Sequence, residues 1–141
     1  MRMLKMFLTI IFLLVNVPLF GQSGFKVIVN NSVNVEGLST KELSNIFLKK
    51  KIEWSDGSSI KAVDLNSDSS IRIKFTNDIH NKNINAIKIY WQKQIFSGRN
   101  VPPVEKISDD EVLEFVKNNP GAIGYVSDKA DLKGVKTVKI N

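Results

Sequence analysis

The residues best suited to chemistry in this chain are Asn66-Ser67-Asp68-Ser69-Ser70-Ile71-Arg72, a short polar loop running straight into an amphipathic segment. Ser69 has the side chain of a helix N-cap, and the amides of Ser70, Ile71 and Arg72 just after it have no acceptor within a helix. Such donors can receive an anion. The aligned peptide dipoles add about half a positive charge at a helix start, and Ser67, Ser69 and Ser70 bring hydroxyls. Arg72 supplies a guanidinium able to fork around an oxyanion. The ordinary alternative is a serine cap on a surface helix with a solvated arginine.

Other chemistries are thinly supported. The chain has one histidine and no cysteine, which removes most arrangements of nucleophile and base and any Cys/His metal set. His80 falls between two helical segments with no partner of its own type, so a surface position is expected. No G-x-S-x-G elbow, Walker loop or H-E-x-x-H motif occurs. The acidic pair Asp109-Asp110 sits where it would favour a helix start. Lys49-Lys50-Lys51, the one dense basic run, has no interleaved aromatics for stacking on bases and suits a solvated helix end. The expectation is a binding protein without catalytic residues, metal, cofactor or nucleic-acid partner.

The elements that must position the loop alternate between strand and helix. Phe25 to Asn30 shows strand alternation. Leu38-Ser39-Thr40-Lys41-Glu42-Leu43 combines a capping box, Ser39 with Glu42, and an apolar staple, Leu38 with Leu43. Leu43, Ile46 and Phe47 continue that helix towards Lys49–Lys51. Trp54-Ser55-Asp56-Gly57 reads as a turn, and Ile60 to Leu65 as a strand leading into the polar loop. After the loop, Ile71, Phe75 and Ile79 repeat at helical spacing, and Ile84, Ile87, Trp91 and Ile95 mark a further helix with a buried face. Pro102-Pro103 imposes an extended connection. Ser108 to Glu111 starts a helix with a second capping box and an Ile107–Val112 staple. Ala122 to Val126 is a short buried strand, and Val135 to Ile140 reads as a last, edge strand. This alternation predicts an α/β three-layer sandwich with a mostly parallel sheet.

Residues 1–21 have the layout of a cleaved signal peptide. Arg2 and Lys5 precede the apolar run Met6 to Val17, which Asn16 and Pro18 interrupt before it is long enough to span a bilayer. Cleavage after Gly21 would leave one domain, 22–141, with 18 basic and 14 acidic residues. With no cysteine neither a disulfide nor a lipid-anchored N-terminus is expected, and the protein would be periplasmic or secreted, with no membrane insertion after cleavage.

Four segments in order carry a resemblance: "VIVNNSVNVEGLSTKELSNIFLKKKIEWSDGSSI", "NSDSSIRIKF", "YWQKQIFSGRNVPP" and "NNPGAIGYV". Together they resemble one lobe of the periplasmic phosphate-binding proteins of ABC transporters, from about Val27 to Val126. That resemblance implies a type II periplasmic-binding-protein fold, a non-enzymatic role in phosphate transport and a phosphate or similar oxyanion held at Ser67, Ser69, Ser70 and Arg72. In that family the loop reads G-S-G-T-R, whose serine falls on Ser69 and whose arginine falls on Arg72. Asp68 and Ser70 stand where the glycines would, and Ile71 where the threonine would, so one hydroxyl is lost and a negative charge gained. The family closes its cleft with a second lobe, and here only one wall of it is recognised. A homodimer or an envelope protein partner is the expected source of a second wall. The alternative is an interaction module on the same fold that no longer binds a ligand.

Overall fold

This computed structural model describes residues 24–141, so the predicted leader, 1–21, lies outside the described residues. Ten elements follow in the order β1 (Phe25–Val29), β2 (Gly37–Leu38), α1 (Thr40–Phe47), β3 (Lys61–Leu65), α2 (Ser70–His80), α3 (Ile84–Phe96), β4 (Val104–Lys106), α4 (Asp109–Asn118), β5 (Ala122–Ser127) and β6 (Lys136–Ile140). The sheet order is β2-β6-β1-β5-β3-β4. β3 runs parallel to both β4 and β5, and β2 parallel to β6, whereas β1 is antiparallel to β5 and β6. All strands but β1 therefore share one direction, as a mostly parallel sheet requires. Among the described residues no helix is long and apolar enough to cross a membrane.

Helices cover both faces of the sheet. Tyr125 projects from β5 towards α1 and α2, where its ring stacks on Phe75 at 3.8 Å and meets Phe47 edge-on at 5.7 Å. Adjacent pleats point to opposite faces, so Gly124 turns towards α4. A Cβ there would lie 2.7 Å from Val63 Cγ1 and 2.9 Å from Val112 Cγ1. Only glycine lets α4 pack this close. Gly121, at φ +79°, has its carbonyl tied to the indole of buried Trp54, Nε1 to O 2.9 Å. A Cβ at Gly121 would meet Ser59 O at 2.2 Å. The W-x-D-G turn and the N-P-G-A-I-G-Y-V strand are thus one structural joint.

The caps fall where the sequence put them. Ser39 Oγ accepts from Glu42 N at 3.1 Å while Glu42 accepts from Ser39 N at 2.9 Å, a complete box. At α4 the Ser108 half forms, but Glu111 reaches one residue further back and accepts from Ile107 N at 2.9 Å. The Ile107–Val112 staple does not form, since Ile107 is 74% exposed.

Three further expectations are corrected. β6 is not an edge strand: the two-residue β2 covers it, and the edges of the sheet are β2 and β4. The residues after Pro102-Pro103 become β4. On α3 only Ile87 and Trp91 are buried, in a small cluster with Leu48, while Ile95 is exposed. α3 packs outside α1 and α2 rather than on the sheet, so it has less surface to bury.

Candidate functional site

β3 delivers the chain to the polar loop at its C-terminal end, and α2 starts at once. Ser69 is the N-cap with an extended backbone, and its hydroxyl accepts from Arg72 N at 3.3 Å. Its own amide donates to Asn66 O at 3.1 Å. Among the described residues the amides of Ser70 and Ile71 have no acceptor in the protein. Ser70 is exposed, and Ser67 and Ser69 are half-buried. Two of the three amides that the sequence reading left open are therefore open, those of Ser70 and Ile71, while the third, that of Arg72, is capped by Ser69.

Arg72 does not join them. It is only 5% exposed and turns back towards the end of β3, where Nη1 donates to the Leu65 carbonyl at 2.7 Å. The same nitrogen lies 3.6 Å from Asp64 Oδ2 and 3.5 Å from Glu105 Oε1. A buried guanidinium must be compensated, and these carboxylates on β3 and β4 do so. The prediction that Arg72 forks around an anion is replaced by a structural role beneath the loop.

Asp64 is the centre of this arrangement. Tyr125 Oη donates to Asp64 Oδ1 at 2.7 Å and accepts from Leu65 N at 3.2 Å. Burial raises the Asp64 carboxyl to about 6, against the lowering effect of Arg72 and the Tyr125 hydrogen bond. Burial, followed by the Asp64 charge, pushes the Tyr125 hydroxyl well up. The sequence reading missed Asp64, Glu105 and Tyr125. A signal was available for the first: an acid inside the apolar run Ala62-Val63-Asp64-Leu65 must be paired if that run is a strand.

His80 is also corrected. It is half-buried, shares a 2.8 Å hydrogen bond with Ser44 Oγ through Nδ1, and meets the Phe75 ring edge-on at 5.9 Å. Burial lowers it to about 4, helped by the positive charges of Arg72, Lys50 and Lys82. A neutral histidine held by one serine and one aromatic ring is a packing residue.

Concave surface exists elsewhere. A cavity of about 400 Å³ lies between Ser32, Asp56, Ser58, Lys61 and Gly121, at the entrance of β3 rather than at its exit.

No family model matches the sequence. Solved structures do match. An ABC-type phosphate transport receptor from Vibrio cholerae superposes with a TM-score of 0.67 at 18% identity, over 84% of this chain and 46% of that one. The fold is that of about half of a phosphate substrate-binding protein. A putative phosphate ABC transporter substrate-binding protein with bound phosphate from Clostridium perfringens gives a TM-score of 0.65 at 20% identity, covering 84% of this chain and 45% of that one. PstS from Borrelia burgdorferi gives 0.66 at 15% identity, with 84% and 47% covered. The chain spans less than half the length of each of these phosphate receptors, as expected of a single-lobe relative.

Proposed function

We propose that this chain is an exported, non-enzymatic, substrate-binding-protein-like domain that receives phosphate or a similar oxyanion at the β3–α2 corner. The observation that supports this reading is the open helix start. Ser70 N and Ile71 N are unpartnered among the described residues, in a loop whose sequence also brings Ser67 and Ser70. Ser69 shapes the corner as its cap, and Arg72 holds the loop on β3 instead of contacting the ligand. Neutral donors facing water, with Asp68 exposed beside them, give weak binding. Without a second wall the dissociation constant is about millimolar or weaker. A second copy or an envelope partner covering the corner would lower the local dielectric and tighten it.

Calorimetric titration with phosphate, sulfate and carboxylates, at several protein concentrations, tests the proposal. The informative variant is Ser70→Pro. Proline is accepted at the first helical position, the extended backbone of Ser69, φ −67° and ψ 129°, suits the residue before it, and the substitution removes one open amide. Phosphate binding weakened by Ser70→Pro supports the corner. Binding that is absent throughout, or indifferent to Ser70→Pro, defeats it. Under the same reading the exported form begins at or near Gln22, and an intact Met1 in its mass spectrum would contradict export by a cleaved leader.

A second reading, an interaction module without a ligand, is favoured by one observation. The only cation of the loop is already compensated by Asp64 and Glu105, so it adds little attraction for an anion.

A further inference from the structure

The outward face of α3 is not that of an ordinary solvated helix. With 100° between successive residues, Ile89, Gln92 and Phe96 share one stripe, opposite the buried Ile87 and Trp91. Lys88 and Lys93 flank that stripe. Phe96 is 93% exposed, and Ile89, Ile95 and Val101 are each more than half exposed. The stripe also carries the polar Asn85 and Gln92, so its apolar character rests on Ile89 and Phe96.

Charge along this segment has a single sign. Between Ile79 and Val104 the sequence has Lys82, Lys88, Lys93 and Arg99 and no Asp or Glu. None of these four is ion-paired among the described residues. The basic run after α1 is held against the same helix. Tyr90 Oη donates to Leu48 O at 2.9 Å, Lys50 Nζ lies 5.8 Å from the Tyr90 ring, and Asn100 Nδ2 donates to Lys49 O at 3.4 Å. Lys49–Lys51 therefore lies beside α3 on its Tyr90 side, adding positive charge next to the helix but off the outward stripe. Helix-end cations are ordinary, but that accounts for neither the exposed phenyl ring nor the isoleucines between the cations.

We propose that the outward face of α3, with its Phe96–Arg99 end, is a docking surface for an anionic lipid bilayer. The chemistry is that of peripheral adsorption: lysine and arginine attract lipid phosphates, and a projecting aromatic ring with neighbouring aliphatics enters the acyl boundary. A ring that stands almost wholly clear of its own protein suits a soft layer. Gly98 at φ +66° with open space around it turns the chain so that Arg99 follows Phe96 at the same end. This surface adsorbs and does not span, and it is independent of the β3–α2 corner.

The test is co-sedimentation of residues 22–141, which include every described element, with phosphatidylcholine vesicles and with vesicles also containing phosphatidylglycerol. Binding is expected only to the anionic vesicles and should fall as salt rises. Phe96→Ser should weaken it by roughly tenfold or more, and the double variant Lys93→Glu with Arg99→Glu by at least as much. These side chains are exposed, so unchanged thermal melts would show that the variants are folded. Failure to bind anionic vesicles overturns the proposal, as does binding indifferent to Phe96→Ser. Equal affinity for polyglutamate, unaffected by Phe96→Ser, would overturn it in favour of an acidic protein partner. Phosphate titration of Ser70→Pro reads a different surface, so the two proposals fail separately.

Discussion

Replacing Arg72 by methionine should expose how much of the fold rests on one buried charge. The substitution removes the 2.7 Å bond to the Leu65 carbonyl, a charge-assisted hydrogen bond of about 1.5–3 kcal/mol. It also leaves Asp64 buried with Tyr125 as its remaining donor, and breaking a buried ion pair from one side costs about 3–5 kcal/mol in all. Asp64→Asn is milder, because Arg72 retains Leu65 O and Glu105. In the double variant neither charge remains, so its cost should fall well below the sum of the two single ones. The pH dependence isolates the charge. Burial holds the wild-type Asp64 carboxyl at about 6 when folded, against an ordinary 3.8, and loss of Arg72 raises it further. Between the variant's pKa and about 6, the folded variant binds more proton than the folded wild type. The deficit should therefore narrow by about 1.4 kcal/mol per pH unit on acidification through that window and then stay constant. Urea denaturation followed by fluorescence of the buried Trp54 and Trp91, between pH 8 and pH 5, measures it. A deficit below about 1 kcal/mol, or one independent of pH, would refute the role assigned to Arg72. A large deficit also makes Arg72→Ala a poor test of ligand binding, since it would report unfolding.

His80 gives the opposite slope. Its folded pKa of about 4 lies below 6.5, so stability is lost as pH falls from 6.5 towards 4, whereas the raised Asp64 loses stability as pH rises from 3.8 towards 6. The two offset each other in the wild type. His80→Gln removes one side of this balance and should unmask the Asp64 loss, up to about 2 kcal/mol as pH rises from 4 to 6; a variant with the wild-type slope would contradict this. Ser39→Ala and Ser108→Ala should each lower stability by about 1 kcal/mol in urea titrations, and unchanged midpoints would show that these hydroxyls do not stabilise α1 and α4. Gly124→Ala should cost about 1–3 kcal/mol by overpacking Val63 and Val112, whose branched side chains have few alternative rotamers. A neutral result would mean that α4 can retreat from the sheet.

Local signals were legible where one residue decides the outcome. Ser39, Ser69 and Ser108 cap the helices that the sequence assigned to them, because a cap involves neighbours within a turn. Sheet position was not legible: whether Val135 to Ile140 forms an edge depends on Gly37–Leu38, far away in the chain and too short to carry a pattern. The corner divides in the same way. The serines and open amides were visible in the sequence, whereas the destination of Arg72 depended on Asp64 and Glu105 across two strands. The motifs that carry the family resemblance are explained by packing: Trp54 on Gly121, α4 on Gly124, Tyr125 on Phe75 and Asp64. They are residues of the fold rather than of the loop, and the resemblance they carry is one of packing.

The reversed strand β1 has a kinetic consequence. It lies between β5 and β6, pairing Val27 with Tyr125 and Val138, so β1 stays unpaired on both sides until β5 and β6 have been synthesised. Loop closure between such distant segments is slow, and high contact order delays two-state folding. Most of the described residues would leave the ribosome before the centre of the sheet could close. Under the export proposed above, that wait would keep the chain unfolded for passage and place completion of the core on the far side.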